Sequence, residues 1–160
     1  MSSEEIVLYG DDILRKPTKP VDLSNSDLKE LIEHMIEVMR EAPGVGLAAN
    51  QVGIDKRLFV YDVGEGPSAI LNPKIIKQRG KEIATEGCLS IPGLQGDVRR
   101  AAAVVVEGLD PDGNEVRVEA DGLLARVFQH EIDHLNGTLF IDRADPDTLA
   151  WVSEVETEEE

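Results

Sequence analysis

The chain has 160 residues, 41% hydrophobic and 30% charged, and its 32 acidic against 16 basic side chains leave a formal net charge of -16. That length fits one compact domain that buries roughly 70% of the surface its unfolded form exposes. The acidic balance, with no cluster of basic residues in the sequence, disfavours nucleic acid or an anionic membrane as a principal ligand.

No apolar stretch approaches the roughly 18 residues of a membrane span, and Met1 to Gly10 carries neither a basic nor an apolar leader region, so a cytoplasmic protein is expected. Cys88 is the only cysteine, which excludes an intramolecular disulfide and leaves the thiol structural, nucleophilic or metal-ligating. The domain is expected over residues 1–152, followed by an acidic, disordered tail over 153–160.

In chain order, Leu28, Leu31, Ile32, Met35, Ile36 and Met39 recur at helical spacing. They predict an amphipathic N-terminal helix, with Ser24 or Ser26 as cap and Pro43-Gly44 as stop. His34 falls on its charged side and is read as solvated, without a role. A glycine-spaced segment, Gly44 to Gly53, leads into short β-rich runs at Leu58 to Val63, Ala69 to Leu71 and Lys74 to Gln78. Ala102 to Leu109 and Glu115 to Ala120 flank Asp110-Pro111-Asp112-Gly113, a turn signal that predicts an antiparallel hairpin. A second helix follows, with Asp121 as N-cap and Asn136-Gly137 as stop. Strands and helices are segregated, so the fold class expected is α+β: short, mostly antiparallel strands packed around a buried C-terminal helix, with one N-terminal amphipathic helix.

That second helix reads His130-Glu131-Ile132-Asp133-His134 and holds two of the chain's three histidines, at i and i+4. Their imidazoles project from one face roughly 6 Å apart at Cβ, a spacing that suits one cation, and Glu131 lies close enough to address a water beside it. Leu123, Leu124, Val127, Phe128, Ile132 and Leu135 make most of the helix apolar. Burying two imidazoles and a carboxylate there costs several kcal/mol unless each has a partner, which a divalent cation provides. For a third ligand, the histidine of the metzincin pattern is excluded by Phe140, and Glu154 in the acidic tail is the thermolysin-like option. Cys88, in Glu86-Gly87-Cys88-Leu89-Ser90, is the best candidate, because Gly87 gives the backbone freedom to bring a thiolate close.

Three segments together, GVGLAANQ (Gly44 to Gln51), EGCLS (Glu86 to Ser90) and QHEIDH (Gln129 to His134), resemble the peptide deformylase family. ILNP at Ile70 to Pro73 and LDPDG at Leu109 to Gly113 extend the resemblance over about Ile6 to Asp142. It implies that Cys88, His130 and His134 ligate one divalent metal, while Glu131 takes a proton from water as it attacks a formyl carbonyl and passes it to the leaving amine. It implies that the Gln51 amide and the backbone N–H of Leu89 face the developing oxyanion. Val45, Gly46 and Gly87 would pair with the peptide as a strand. The implied substrates are N-formylmethionyl peptides on newly made chains, including those still associated with ribosomes, and the products are formate and a free amine.

One thiolate and two imidazoles suit zinc, iron, cobalt or nickel alike; the resemblance implies Fe(II) as the physiological ion, with Zn, Ni or Co in purified protein. Two departures carry expectations. Val98-Arg99-Arg100 stands where the family has Val-Pro-Arg, and Arg100 is expected to pair with Glu86. Arg126 stands at a commonly apolar position near the methionine pocket, so either it snorkels outward or the pocket is altered. Bacterial deformylases can dock on the ribosome through a basic C-terminal helix, whereas this ending is acidic and short, so that mode of docking is not expected here. The alternatives are a metallopeptidase using Glu154, a cysteine hydrolase with Cys88 as nucleophile, and a catalytically silent protein of the same fold.

Overall fold

The computed structural model describes residues 5–24 and 26–152, so Glu154 and the expected tail over 153–160 lie outside the described residues. The expected N-terminal helix is α1 (Leu28–Glu41). It buries Leu28, Ile32, Met35, Val38 and Met39, which recur on one stripe, and ends just before Pro43-Gly44. Its N-cap is Asp27, not Ser24 or Ser26. Ser24 is engaged in a turn of its own, donating from both its amide and its hydroxyl to Asp22 Oδ1.

The Gly44 to Gly53 segment supplies β1 (Gly46–Ala48) and a tight turn over Ala49–Val52, closed by Gly53 at φ 81°. After β2 (Leu58–Tyr61) the chain runs through β3 (Ser68–Arg79). The two runs expected at Ala69 to Leu71 and Lys74 to Gln78 are one strand, kinked where Asn72 adopts φ 51° and the register to its neighbour shifts between Leu71 and Lys74. Pro73, which cannot donate to a ladder, sits in that shift. β4 (Glu82–Cys88) and β5 (Ile91–Arg100) form a hairpin that apolar alternation does not signal, because its strands are rich in Gly, Glu and Arg. The expected hairpin is β6 (Ala103–Leu109) with β7 (Glu115–Asp121). Asp110 Oδ1 accepts from the amides of Asp112 and Asn114 in its turn. α2 (Gly122–Leu135) starts at Asp121 and ends at Asn136 as expected. A single turn, α3 (Phe140–Arg143), and β8 (Ala150–Trp151) complete the described chain.

Among the described residues all strand pairs are antiparallel, in two sheets of order β1-β2-β3-β6-β7 and β4-β5-β8. The α+β class therefore holds, with β3 and β5 longer than the short strands expected. α1 packs its stripe on Leu47, Leu58, Val60 and Leu71. α2 packs Ala125, Phe128, Ile132 and Leu135 on Phe59, Ile70, Val104 and Val106 of the larger sheet. Phe128 sits edge-on to Tyr61 at 5.0 Å between ring centres and 5.7 Å from Phe59. Full burial of such a side chain contributes about 2–3 kcal/mol, so α2 is anchored through this face while its other face is free to carry polar groups. No helix among the described residues is long and apolar enough to cross a membrane.

Candidate metal centre

α2 presents His130 and His134 one turn apart, their ring centres 4.9 Å from each other. β4 ends at Cys88, which faces them from the other sheet: its Sγ lies 3.2 Å from His134 Nε2. One ligand atom each from Cys88, His130 and His134 falls within 4.8 Å of the other two. The trio is thus assembled from a helix and a strand that share no sheet, and it is enclosed, with His134 fully buried and the other two half-buried.

Hydrogen bonds fix each member. His130 Nδ1 donates to Glu86 Oε1 at 2.9 Å, because a carboxylate only accepts, which leaves Nε2 as the ring nitrogen available to a cation. Arg100 pairs with Glu86 as expected, Nε on Oε2 at 2.7 Å and Nη2 on Oε1 at 2.9 Å, and its Nη1 reaches Asp133 Oδ2 at 2.7 Å. These bonds hold the Glu86 carboxyl far below the usual carboxylate range although burial works against its charge. Arg126 does not snorkel outward: it turns inward to Glu86. Gln51, on the turn after β1, donates from Nε2 to Ser90 Oγ at 3.2 Å and lies 3.7 Å from Cys88 Sγ, while its Oε1 accepts from the Ala48 amide at 3.0 Å. Asn50 Nδ2 donates to the His134 carbonyl at 2.6 Å. Asn50 and Ser90, both fully buried, are site residues that the sequence analysis missed. Their only signal was adjacency, one beside Gln51 and one at the end of EGCLS.

Glu131 is buried, and burial pushes its carboxyl up to about 7, with His130 and Arg100 partly opposing. Gly46 adjoins it: a Cβ there would meet Glu131 Oε2 at 2.7 Å and Val127 Cγ1 at 3.0 Å. Val45 and Gly87 are exposed and Leu89 is half-buried. Among the described residues β1 pairs with β2 alone and β4 with β5 alone, so each lies at the edge of its sheet. His34 is outside all this, half-exposed and paired with Glu5 at 3.3 Å, in keeping with a solvated residue.

Residues 3–149 match the family model described as polypeptide deformylase. The chain belongs to that family. The peptide deformylase of Halothermothrix orenii is 55% identical over 141 residues, covering 87% of this chain and 92% of the relative. That of Carboxydothermus hydrogenoformans is 50% identical over 145 residues, covering 91% and 95%. The crystal structure of the Thermotoga maritima peptide deformylase superposes with a TM-score of 0.86 at 49% identity, over 88% of this chain and 97% of that one. The three motifs that carried the resemblance thus belong to a homology spanning nearly the whole chain.

Polypeptide deformylases are metal-dependent, and the cluster fits a metal on its own terms. Glu131 Oε1, on the residue after His130, is buried without a hydrogen-bond partner among the described residues. Such an atom costs about 1–3 kcal/mol, a cost that a site built for protein stability alone would avoid. A thiolate with two imidazoles is a borderline-soft donor set that suits a first-row divalent cation. Burial opposes charge on His130, but hydrogen bonding to Cys88 and Glu86 outweighs it and raises its pKa, so a cation binding there displaces a proton.

Proposed function

We propose that the chain is a metal-dependent hydrolase that removes the N-formyl group from N-formylmethionine at the start of newly made polypeptides, releasing formate. The observation that carries this reading is the convergence of Cys88 Sγ, His130 and His134 within 4.8 Å beside a buried Glu131. Cys88, His130 and His134 would hold one divalent cation, with Fe(II) the physiological ion and Zn, Ni or Co able to replace it. When bound, that cation acidifies water and polarises a carbonyl.

The chain's own residues do the rest. Glu131 takes a proton from the attacking water as its oxygen bonds to the formyl carbon, and returns a proton to the amine as the carbon–nitrogen bond breaks. Formate and a free methionine amine result. Gln51 Nε2, which already points at Cys88, and the Leu89 N–H donate to the oxygen on which charge develops. The peptide lies as an added strand on the edges of β1 and β4, paired with backbone groups of Val45, Gly46 and Gly87. Nascent chains on ribosomes are the natural source of this substrate, without a role for nucleic acid or membrane.

One observation favours a second reading: Cys88 Sγ at 3.2 Å from His134 Nε2 is also the spacing of a thiolate–imidazole nucleophile. The experiment that decides is formate release from a formyl-Met tripeptide by anaerobic protein loaded with iron(II) or nickel, beside Glu131→Ala. Turnover that requires the metal and falls by about 10²–10⁴-fold in the variant supports the hydrolase. Turnover that survives chelation points to the cysteine, and no turnover in loaded protein points to a silent homologue.

A further inference from the structure

Arg126 sits on α2 one turn before His130, among Leu124, Ala125, Val127 and Phe128, where a cation is unexpected. Its side chain is only 12% exposed. The guanidinium makes three contacts: Nη1 donates to Glu86 Oε2 and, at 3.0 Å, to the Val98 carbonyl, and Nη2 donates to the Glu82 carbonyl at 3.0 Å. Glu82 is on β4 and Val98 on β5, so one planar group from the helix grips the backbone of both strands of the hairpin and the carboxylate that hangs from it.

Glu86 is thereby saturated. Oε2 accepts from Arg100 Nε and Arg126 Nη1, and Oε1 accepts from Arg100 Nη2 and His130 Nδ1. A carboxylate offers about four acceptor positions, and all are taken. Arg126 and His130, at i and i+4 on one helix face, hold the two different oxygens of that group. Glu86 lies two residues before Cys88, so fixing Glu86 against the helix fixes where the thiol stands relative to both imidazoles. Arg100 comes from the hairpin and reaches α2 at Asp133. Arg126 is the reciprocal tie, from the helix into the hairpin.

We propose that Arg126 is a positioning residue of the metal centre: it clamps the β4–β5 hairpin, which carries Cys88, onto the helix that carries His130 and His134. This rests on the metal reading above. Lysine cannot replace it, because a point charge on a single chain end cannot span a carboxylate and two carbonyls as a planar fork does. Methionine would keep the packed stem and lose every bond.

The test uses the full chain loaded anaerobically with cobalt(II), as wild type, Arg126→Met, Arg126→Lys and the surface control Arg117→Met. The visible spectrum, the rate of cobalt transfer to a chelator and KM for formyl-Met and formyl-Leu peptides are read, with thermal unfolding as a check of folding. Arg126→Met is expected to shift the cobalt–thiolate bands and to speed cobalt loss about 10–100-fold, with Arg126→Lys between it and wild type and Arg117→Met unchanged. Should Arg126→Met not fold, Arg126→Lys carries the test, and cobalt loss at the wild-type rate in that variant overturns the proposal. An unchanged spectrum in Arg126→Met overturns it too, as does a change confined to KM for formyl-Met against formyl-Leu peptides, which would make Arg126 a wall of the substrate pocket. A wild-type cobalt form without a thiolate band would instead sink the metal reading itself.

Discussion

Gly46 and Glu131 are in contact across the gap between β1 and α2, and a Cβ on the glycine would lie 2.7 Å from Glu131 Oε2 and 3.0 Å from its Cγ. Real Cβ atoms do not approach so closely, so in Gly46→Ala the carboxylate must move or the strand must retreat. Misplacing a general base by about 1 Å can cost on the order of 10²-fold in rate. Gly46→Ala is therefore expected to lose about 10²-fold in kcat for formyl-Met peptide hydrolysis while binding one metal per chain as wild type does. Metal analysis beside kinetics checks this, and a variant with wild-type kcat would show that Glu131 has latitude in its position.

Metal identity is tested by exposure to air. Iron(II) next to the half-buried Cys88 thiolate presents two oxidisable groups in contact, whereas nickel presents only the sulfur. The iron form is expected to lose activity in air within the period over which the nickel form keeps it, and a chelator should abolish both. Equal air stability of the two forms would count against iron as the vulnerable ion. Cys88→Ser, which offers a poor ligand in place of the thiolate, is expected to lower bound metal to well under one per chain, measured by elemental analysis.

The chemistry of the site was more legible in the sequence than the frame that holds it. His130 and His134 declare themselves because an i, i+4 spacing on an apolar helix survives any tertiary arrangement. Cys88 needed a motif, since nothing in local periodicity says that the end of β4 faces α2. The β4–β5 hairpin itself gave no pattern: among the described residues Glu82 to Cys88 pairs with β5 alone, and its buried side chain is the charged Glu86, held by Arg100 and Arg126. Arg126 shows the limit most clearly. An arginine on an apolar helix face reads as outward or disruptive until Glu86, forty residues away in sequence, is seen to receive it.

Acid should loosen the N-terminal segment through Asp142. Its carboxylate accepts from Arg15 Nη2 at 3.2 Å, is also bonded by Arg15 Nη1, and caps the Leu139 amide at 2.9 Å. Partial burial pushes the Asp142 carboxyl up, but the Arg15 and Leu139 bonds outweigh this and hold it below its ordinary value of 3.8. A group whose pKa is depressed by folding contributes stability that is present above its unfolded value and is lost as pH falls through the folded one. Both partners are more than a third exposed, so after solvent screening the contribution is about 0.5–1 kcal/mol. Asp142→Asn is expected to be less stable than wild type by about that amount at neutral pH, with the gap closing below about pH 4. Denaturant titrations at both pH values check it; a gap that persists in acid would assign the effect to shape, not charge.

Gln51 separates catalysis from stability within one side chain. Its Nε2 end lies in the centre, 3.7 Å from Cys88 Sγ and bonded to Ser90 Oγ, while its Oε1 end accepts from the Ala48 amide at the end of β1. Removing one oxyanion donor typically costs about 10²–10³-fold in kcat, because that bond strengthens only as charge develops. Leaving a buried backbone amide unpaired costs about 1–3 kcal/mol of stability instead, a loss that a melting curve reads and kcat does not. Gln51→Ala should show both effects with KM little changed and metal retained. Gln51→Glu keeps the Ala48 bond and replaces the donor with an acceptor beside the thiolate, so it should recover stability and stay as inactive as alanine. A glutamate variant that regained activity would mean that the side chain serves the turn alone, and that the oxyanion is held by the Leu89 amide without it.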